Sequence, residues 1–149
     1  MRAVVQRVKN ASVCIEGNEI AQIGHGLLVL VGLAADDNQK DMAYIADKCM
    51  NLRIFDDAEG VMNLSLAEVG AELLVVSQFT LYGDVRKGRR PSYIKAAPPD
   101  VAKSIFDDCL AVFRERCPVV KTGQFQAMMD VSLTNDGPVT ILLDSKKEF

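Results

Sequence analysis

Leu73-Leu74-Val75-Val76 is an unbroken apolar run that stops abruptly at Ser77 and Gln78. It is too short for a helix and reads as a buried strand. Leu27 to Leu33 has the same character, and Val139 to Leu143 is a third strand-like run, preceded directly by Gly137-Pro138. A chain carrying such runs builds its core on a sheet, and the polar groups at the ends of two of them exceed what an ordinary core needs.

The remaining pattern fills in that sheet. Ala3 to Val8, Ser12 to Ile15 and Glu19 to Ile23 read as strands, with Gly17-Asn18 as a two-residue hairpin signal. Asp36-Asp37-Asn38 supplies helix caps, and Met42, Ile45, Cys49 and Leu52 follow at helical spacing, which predicts a helix over Gln39 to Asn51. Arg53 to Phe55 returns to a strand, and the Asp57 to Gly60 turn lacks the ligand ladder of a calcium loop. The central strand is expected to run from Leu73 to Thr80. A second helix is expected from Pro99 to Cys117, striped by Val101, Ile105, Cys109 and Phe113 and stopped by Pro118. Met128 to Leu133 and Val139 to Leu143 are closing strands joined by a turn at Asn135 to Pro138. The expected class is α+β: a largely antiparallel, barrel-like sheet with two main helices, in one domain over residues 1–149.

Composition excludes several functions. No apolar run approaches the roughly 18 residues that span a bilayer. The N-terminal stretch is broken by Gln6, Arg7 and Lys9, unlike a signal peptide, so a cytoplasmic location is expected. Cys14, Cys49, Cys109 and Cys117 are dispersed, and the single histidine, His25, lies between Gly24 and Gly26 in an expected turn. That set does not announce a zinc site or a disulfide framework. Net charge is −3, yet Arg86, Lys87, Arg89, Arg90 and Lys95 crowd one segment. A local basic loop can hold phosphates on an acidic protein; it also suits an ordinary solvated loop.

Two stretches carry the chemistry. Ser77-Gln78-Phe79-Thr80-Leu81 sets hydrogen-bonding groups at a strand end, although a plain strand end before a Tyr82-Gly83-Asp84 turn would read the same way. Proline at Pro138 removes a backbone donor and makes a cis bond possible, while an ordinary turn fits equally. Taken with Lys87-Gly88-Arg89-Arg90-Pro91-Ser92, Asn135-Asp136-Gly137-Pro138-Val139-Thr140, the opening Ala3-Val4-Val5-Gln6-Arg7-Val8, Arg53-Ile54-Phe55 and Met62-Asn63-Leu64, the sequence closely resembles the D-aminoacyl-tRNA deacylase family. The resemblance runs from the first residues to about Leu143. A near relative acting on other mischarged tRNAs differs in both stretches, and this chain is similar to the D-specific branch.

The resemblance implies hydrolysis of the ester bond of D-aminoacyl-tRNA, with glycyl-tRNA also accepted. It implies that Ser77, Gln78, Phe79 and Thr80 line the pocket, that backbone groups around Gln78 and Phe79 serve as oxyanion donors, and that the substrate's ribose 2′-hydroxyl activates water. Thr80 as nucleophile would need a base, and no G-x-S-x-G elbow is present, so a pocket role comes first. Gly137-Pro138 is implied to be cis, to enter a partner subunit's site and to exclude an L side chain by clash, with Arg7 bracing it. Met129 is expected as pocket wall, or equally as core. A homodimer with cross-subunit sites follows from that arrangement. Arg86, Lys87, Arg89 and Arg90 would meet the acceptor-stem backbone, and no metal or organic cofactor is called for. The alternatives are editing of other mischarged tRNAs, a noncatalytic tRNA-binding module, and a metal-dependent hydrolase, which the lone histidine argues against.

Overall fold

The computed structural model describes residues 1–149. In chain order the elements are β1 (Arg2–Ile15), β2 (Asn18–Ile23), β3 (Gly26–Gly32), α1 (Gln39–Asn51), β4 (Phe55–Asp56), β5 (Met62–Leu64), α2 (Leu66–Val69), β6 (Glu72–Ser77), a 3-10 turn (Phe79–Tyr82), α3 (Pro99–Arg114), β7 (Val120–Thr122) and β8 (Asp130–Asp144).

β1 organises the sheet. Its first half pairs antiparallel with β3, from Arg2 opposite Gly32 to Val8 opposite Gly26, and its second half with β2. Along its other edge it pairs with β8 over nearly its whole length, from Arg2 opposite Asp144 to Cys14 opposite Asp130. β3 then pairs parallel with β6, and β6 with β7, giving a nearly closed, barrel-like sheet. The parallel pairs arise because α1 and α3 serve as crossovers, which parallel neighbours require. The expected class, α+β with a largely antiparallel barrel-like sheet and two main helices, matches this architecture.

β6 is buried on both faces, which explains its unbroken apolar sequence. Leu73 and Val75 join the main core with Ile45, Phe106 and Phe113 from the helices, while Leu74 and Val76 join a second cluster with Val8, Val13 and Ile23. The α1 cap is the expected Asn38, in a capping box with Asp41.

Several expected boundaries differ. Ala3 to Val8 and Ser12 to Ile15 form one strand, because both segments face β8. Likewise the two closing strands are a single β8: both halves pair with β1, and Asn135 to Pro138 is a bulge within it, not a hairpin turn. The central strand stops at Ser77, and the following residues wind into the 3-10 turn. α3 ends at Arg114, short of Cys117. No helix is long and apolar enough to cross a membrane.

Candidate active site

The end of β6 shapes a cavity of about 800 Å³. Gln78 closes the strand by donating its N–H to the Val31 carbonyl at 2.7 Å, and the chain then turns, with Leu81 N bonding Gln78 O and Gly83 N bonding Thr80 O. This turn lies tight against β3. A Cβ on Gly32 would stand 3.0 Å from Leu81 Cβ and 3.2 Å from Gln78 O, so glycine permits the approach. The first N–H groups of a helical turn have no partner within it, and those of Phe79 and Thr80 meet no acceptor elsewhere in the chain. The Gln78 side-chain amide donates to the Thr80 hydroxyl.

Ser77, Gln78, Phe79 and Thr80 all line the cavity. The facing wall comes from Ala96 to Pro99 and Phe125 to Met129. Met129 fills both roles left open by the sequence, lining the cavity and packing against the second apolar cluster. Tyr93 is the one titratable side chain in the lining, so the cavity of this chain holds no carboxylate, imidazole or thiol to serve as a base. The cysteines cannot supply a thiolate there: Cys49 and Cys109 are buried, and burial pushes both thiols up, Cys109 to about 12.

Gly137, Pro138 and Arg7 form a second cluster outside the cavity lining. In the β8 bulge, Gln6 pairs with Thr140 and Val8 with Asn135, so Asp136 to Val139 stand opposite Arg7 alone. The Gly137-Pro138 bond is cis. Asn135 staples the bulge, its Oδ1 accepting from Val139 N at 2.7 Å and its Nδ2 donating to Val139 O at 3.0 Å. Arg7, buried to 5 % exposure, donates from Nε to Asp136 O at 2.9 Å and from Nη1 to Ile54 O at 2.6 Å.

The basic segment is an exposed loop closed by a paired Asp84 and Ser92. Arg86 folds back on Asp84, with Nε to Oδ1 at 2.9 Å, and its hydrogen bonds hold the Asp84 carboxyl well below the usual carboxylate range. Lys87, Arg89 and Arg90 form no ion pair, and Gly88 takes a positive φ of 75° at the loop tip. The loop leads directly into Tyr93, which packs edge-on against Phe79 with ring centroids 5.0 Å apart. Tyr93 stands outside the motif residues that the sequence singles out. Its place on the cavity rim, like the wall from Ala96 to Pro99, carried no periodic signal.

Comparison with solved structures fits this geometry. A structure named "c-Myc DNA Unwinding Element Binding Protein" is 41 % identical, with a TM-score of 0.92 over 97 % of this chain and 98 % of that one. A "probable eukaryotic D-amino acid tRNA deacylase", 18 % identical, shares the fold with a TM-score of 0.82 over 95 % of this chain and 97 % of that one. Fold and cavity together place the chain among α+β proteins with a nearly closed, barrel-like sheet and a cavity at the end of its central strand. A protein-family model described as D-Tyr-tRNA(Tyr) deacylase matches residues 4–144, and the chain belongs to that family. Relatives named D-aminoacyl-tRNA deacylase include those of Thermosipho africanus, 59 % identical, and Clostridioides difficile, 56 % identical, each covering 100 % of both chains.

Proposed function

We infer that this chain hydrolyses the ester bond of D-aminoacyl-tRNA, releasing the D-amino acid and free tRNA. The observation that carries the mechanism is the cavity at the end of β6, where Phe79 and Thr80 present N–H groups with no acceptor in the chain. An aminoacyl ester is already activated, so hydrolysis depends on positioning and on stabilising the oxyanion of the tetrahedral intermediate. One preorganised donor contributes about 3–4 kcal/mol to that step. The Phe79 and Thr80 N–H groups are our oxyanion donors. The Gln78 N–H, expected from the sequence to share that role, is taken by the Val31 carbonyl, and the Gln78 side chain orients the adenosine end and holds Thr80 in place. The water is activated by the ribose 2′-hydroxyl of the substrate, a route that draws on no metal or organic cofactor.

Chirality is selected by Gly137-Pro138 from a second copy of the chain. Within one chain that pair lies outside the cavity it would serve, and Met128, Leu133 and Leu142 present apolar surface on and beside β8. A twofold homodimer would complete each cavity with the partner's turn, held by the partner's own arginine at the position of Arg7. Rejection of L substrates is then a steric clash, and glycyl-tRNA, with no side chain to clash, is also hydrolysed. Lys87, Arg89 and Arg90 contact phosphates of the acceptor stem, which positions the tRNA without reading its sequence. The whole chain acts as one domain in the cytoplasm.

Deacylation of matched D-tyrosyl-, L-tyrosyl- and glycyl-tRNA by the purified, chelator-treated protein tests this reading. Loss of the D and glycyl esters with a stable L ester is expected. Survival of all three with retained tRNA binding would make the chain a noncatalytic binding module.

A further inference from the structure

His25 is the only histidine in the chain, and nothing in the mechanism above uses it. It sits in the β2–β3 turn, and its backbone is fixed there by Glu72: Glu72 N donates to His25 O at 3.1 Å, and a Glu72 carboxylate oxygen accepts from Gly24 N at 2.7 Å. Gly26 allows this contact, since a Cβ there would fall 2.0 Å from the Glu72 carbonyl oxygen. The imidazole rests edge-on against Phe55, with ring centroids 5.2 Å apart, and its Nε2 lies 3.8 Å from Oδ2 of Asp136. Asp136 directly precedes Gly137, and the same Oδ2 lies 3.6 Å from Nε of Arg7.

We propose that His25 is a positioning residue for the Gly137-Pro138 turn: with Arg7 it holds the Asp136 carboxylate from two sides, and the turn is held more firmly when the imidazole is protonated. Arg7 is a permanent cation, so its grip does not change with pH. A protonated His25 adds a second cation beside the same carboxylate oxygen. The other charges facing this corner are Asp56 on β4, already bonded to Arg7 at 3.1 Å, and Glu72 on β6, occupied with Gly24. Neither replaces the imidazole at Asp136. The imidazole is about half exposed, so the pair acts with surface strength: it trims the turn's freedom rather than creating the turn.

The inference rests on the deacylase reading and on the selecting role of Gly137-Pro138. The test is the ratio of D-tyrosyl to L-tyrosyl release under single-turnover conditions, at about pH 5.5 and about pH 8, either side of the ordinary imidazole range. Both esters share the same bond-breaking chemistry, so its own pH dependence cancels in the ratio. In the unmodified protein the ratio should fall about two- to fivefold from the lower to the higher pH, the scale of a half-exposed ion pair. His25→Gln should give the lower ratio at both pH values, and His25→Lys the higher ratio at both. Asp136→Asn, which keeps the carbonyl for Arg7 but removes the shared carboxylate, should also abolish the pH dependence. Identical ratios and pH profiles in the unmodified protein and the two His25 variants would overturn the inference while leaving D-ester hydrolysis, and hence the deacylase reading, intact. If the unmodified protein releases no D-tyrosine, the deacylase reading itself fails and the inference with it.

Discussion

Arg7 reaches across from β1 and donates from Nε to the carbonyl oxygen of Asp136 at 2.9 Å, one residue before the glycine of the β8 bulge. Its Nη1 simultaneously meets the Ile54 carbonyl and Asp56. One buried guanidinium therefore ties β1, the entrance to β4 and the bulge together. The bulge is consequently a fixed feature of the sheet, set by the β1–β8 register.

Removing that guanidinium should act on both stability and selection. Arg7→Met keeps the length and apolar stem but leaves the Ile54 and Asp136 carbonyls without their donor. Hydrogen bonds to charged groups contribute about 1.5–3 kcal/mol, so a loss of about 2–3 kcal/mol is expected in urea unfolding. L-tyrosyl-tRNA hydrolysis should rise relative to D in the folded variant. Unchanged selection in a folded Arg7→Met protein would separate Arg7 from the selecting turn.

Gly137 has φ of 139°, and a Cβ placed on it would lie 2.7 Å from Val139 Cγ2 and 2.9 Å from Val139 N. Gly137→Ala must therefore shift the bulge or strain it, at about 1–3 kcal/mol. The expected outcome is a folded protein with lowered Tm and a blunted D-to-L ratio. A variant with native Tm and native ratio would show that the bulge accommodates a side chain and that its backbone shape does not set selection.

How much of this was legible beforehand depended on whether the signal was local. The apolar run at Leu73 to Val76 and the caps before α1 are short-range patterns, and both gave the observed elements. The unity of β1 and of β8 was not local: polar interruptions at Lys9-Asn10 and at Asn135-Asp136 look like turns until each strand is seen pairing with the other across the bulge. Ser77 to Thr80 marks the site's edge in the sequence, but the pattern there continues the strand, because the tight seat on Gly32 of β3 is a tertiary contact. Ser65 and Glu68 carry a further local signal, the capping box that starts α2. The far wall of the cavity, from Ala96 to Pro99 and Phe125 to Met129, has no sequence pattern, since its residues are united only by the fold.

The four cations of the exposed loop should not contribute equally to tRNA binding. Arg86 is already paired with the Asp84 carboxylate, which its hydrogen bonds hold well below the usual carboxylate range. Lys87→Ala, Arg89→Ala and Arg90→Ala should each weaken binding uniformly across tRNAs and reduce the salt slope by roughly one. Arg86→Ala should change the slope less. Equal effects at all four positions would mean that the Arg86–Asp84 pair opens when tRNA binds.

Thr80 presents the sharpest division between two chemistries. As a nucleophile it would need a neighbour to take its proton. Its hydroxyl instead accepts a hydrogen bond from the Gln78 amide, which cannot act as a base, and the only titratable side chain lining the cavity is the Tyr93 phenol. If the hydroxyl only helps to orient Gln78, Thr80→Ala costs one ordinary hydrogen bond, and single-turnover release of D-tyrosine should slow by no more than about tenfold. The backbone N–H at position 80 survives the substitution, so oxyanion stabilisation is retained. Loss of all turnover, with tRNA binding and circular dichroism unchanged, would instead assign the hydroxyl a bond-making role and remove the substrate-assisted mechanism.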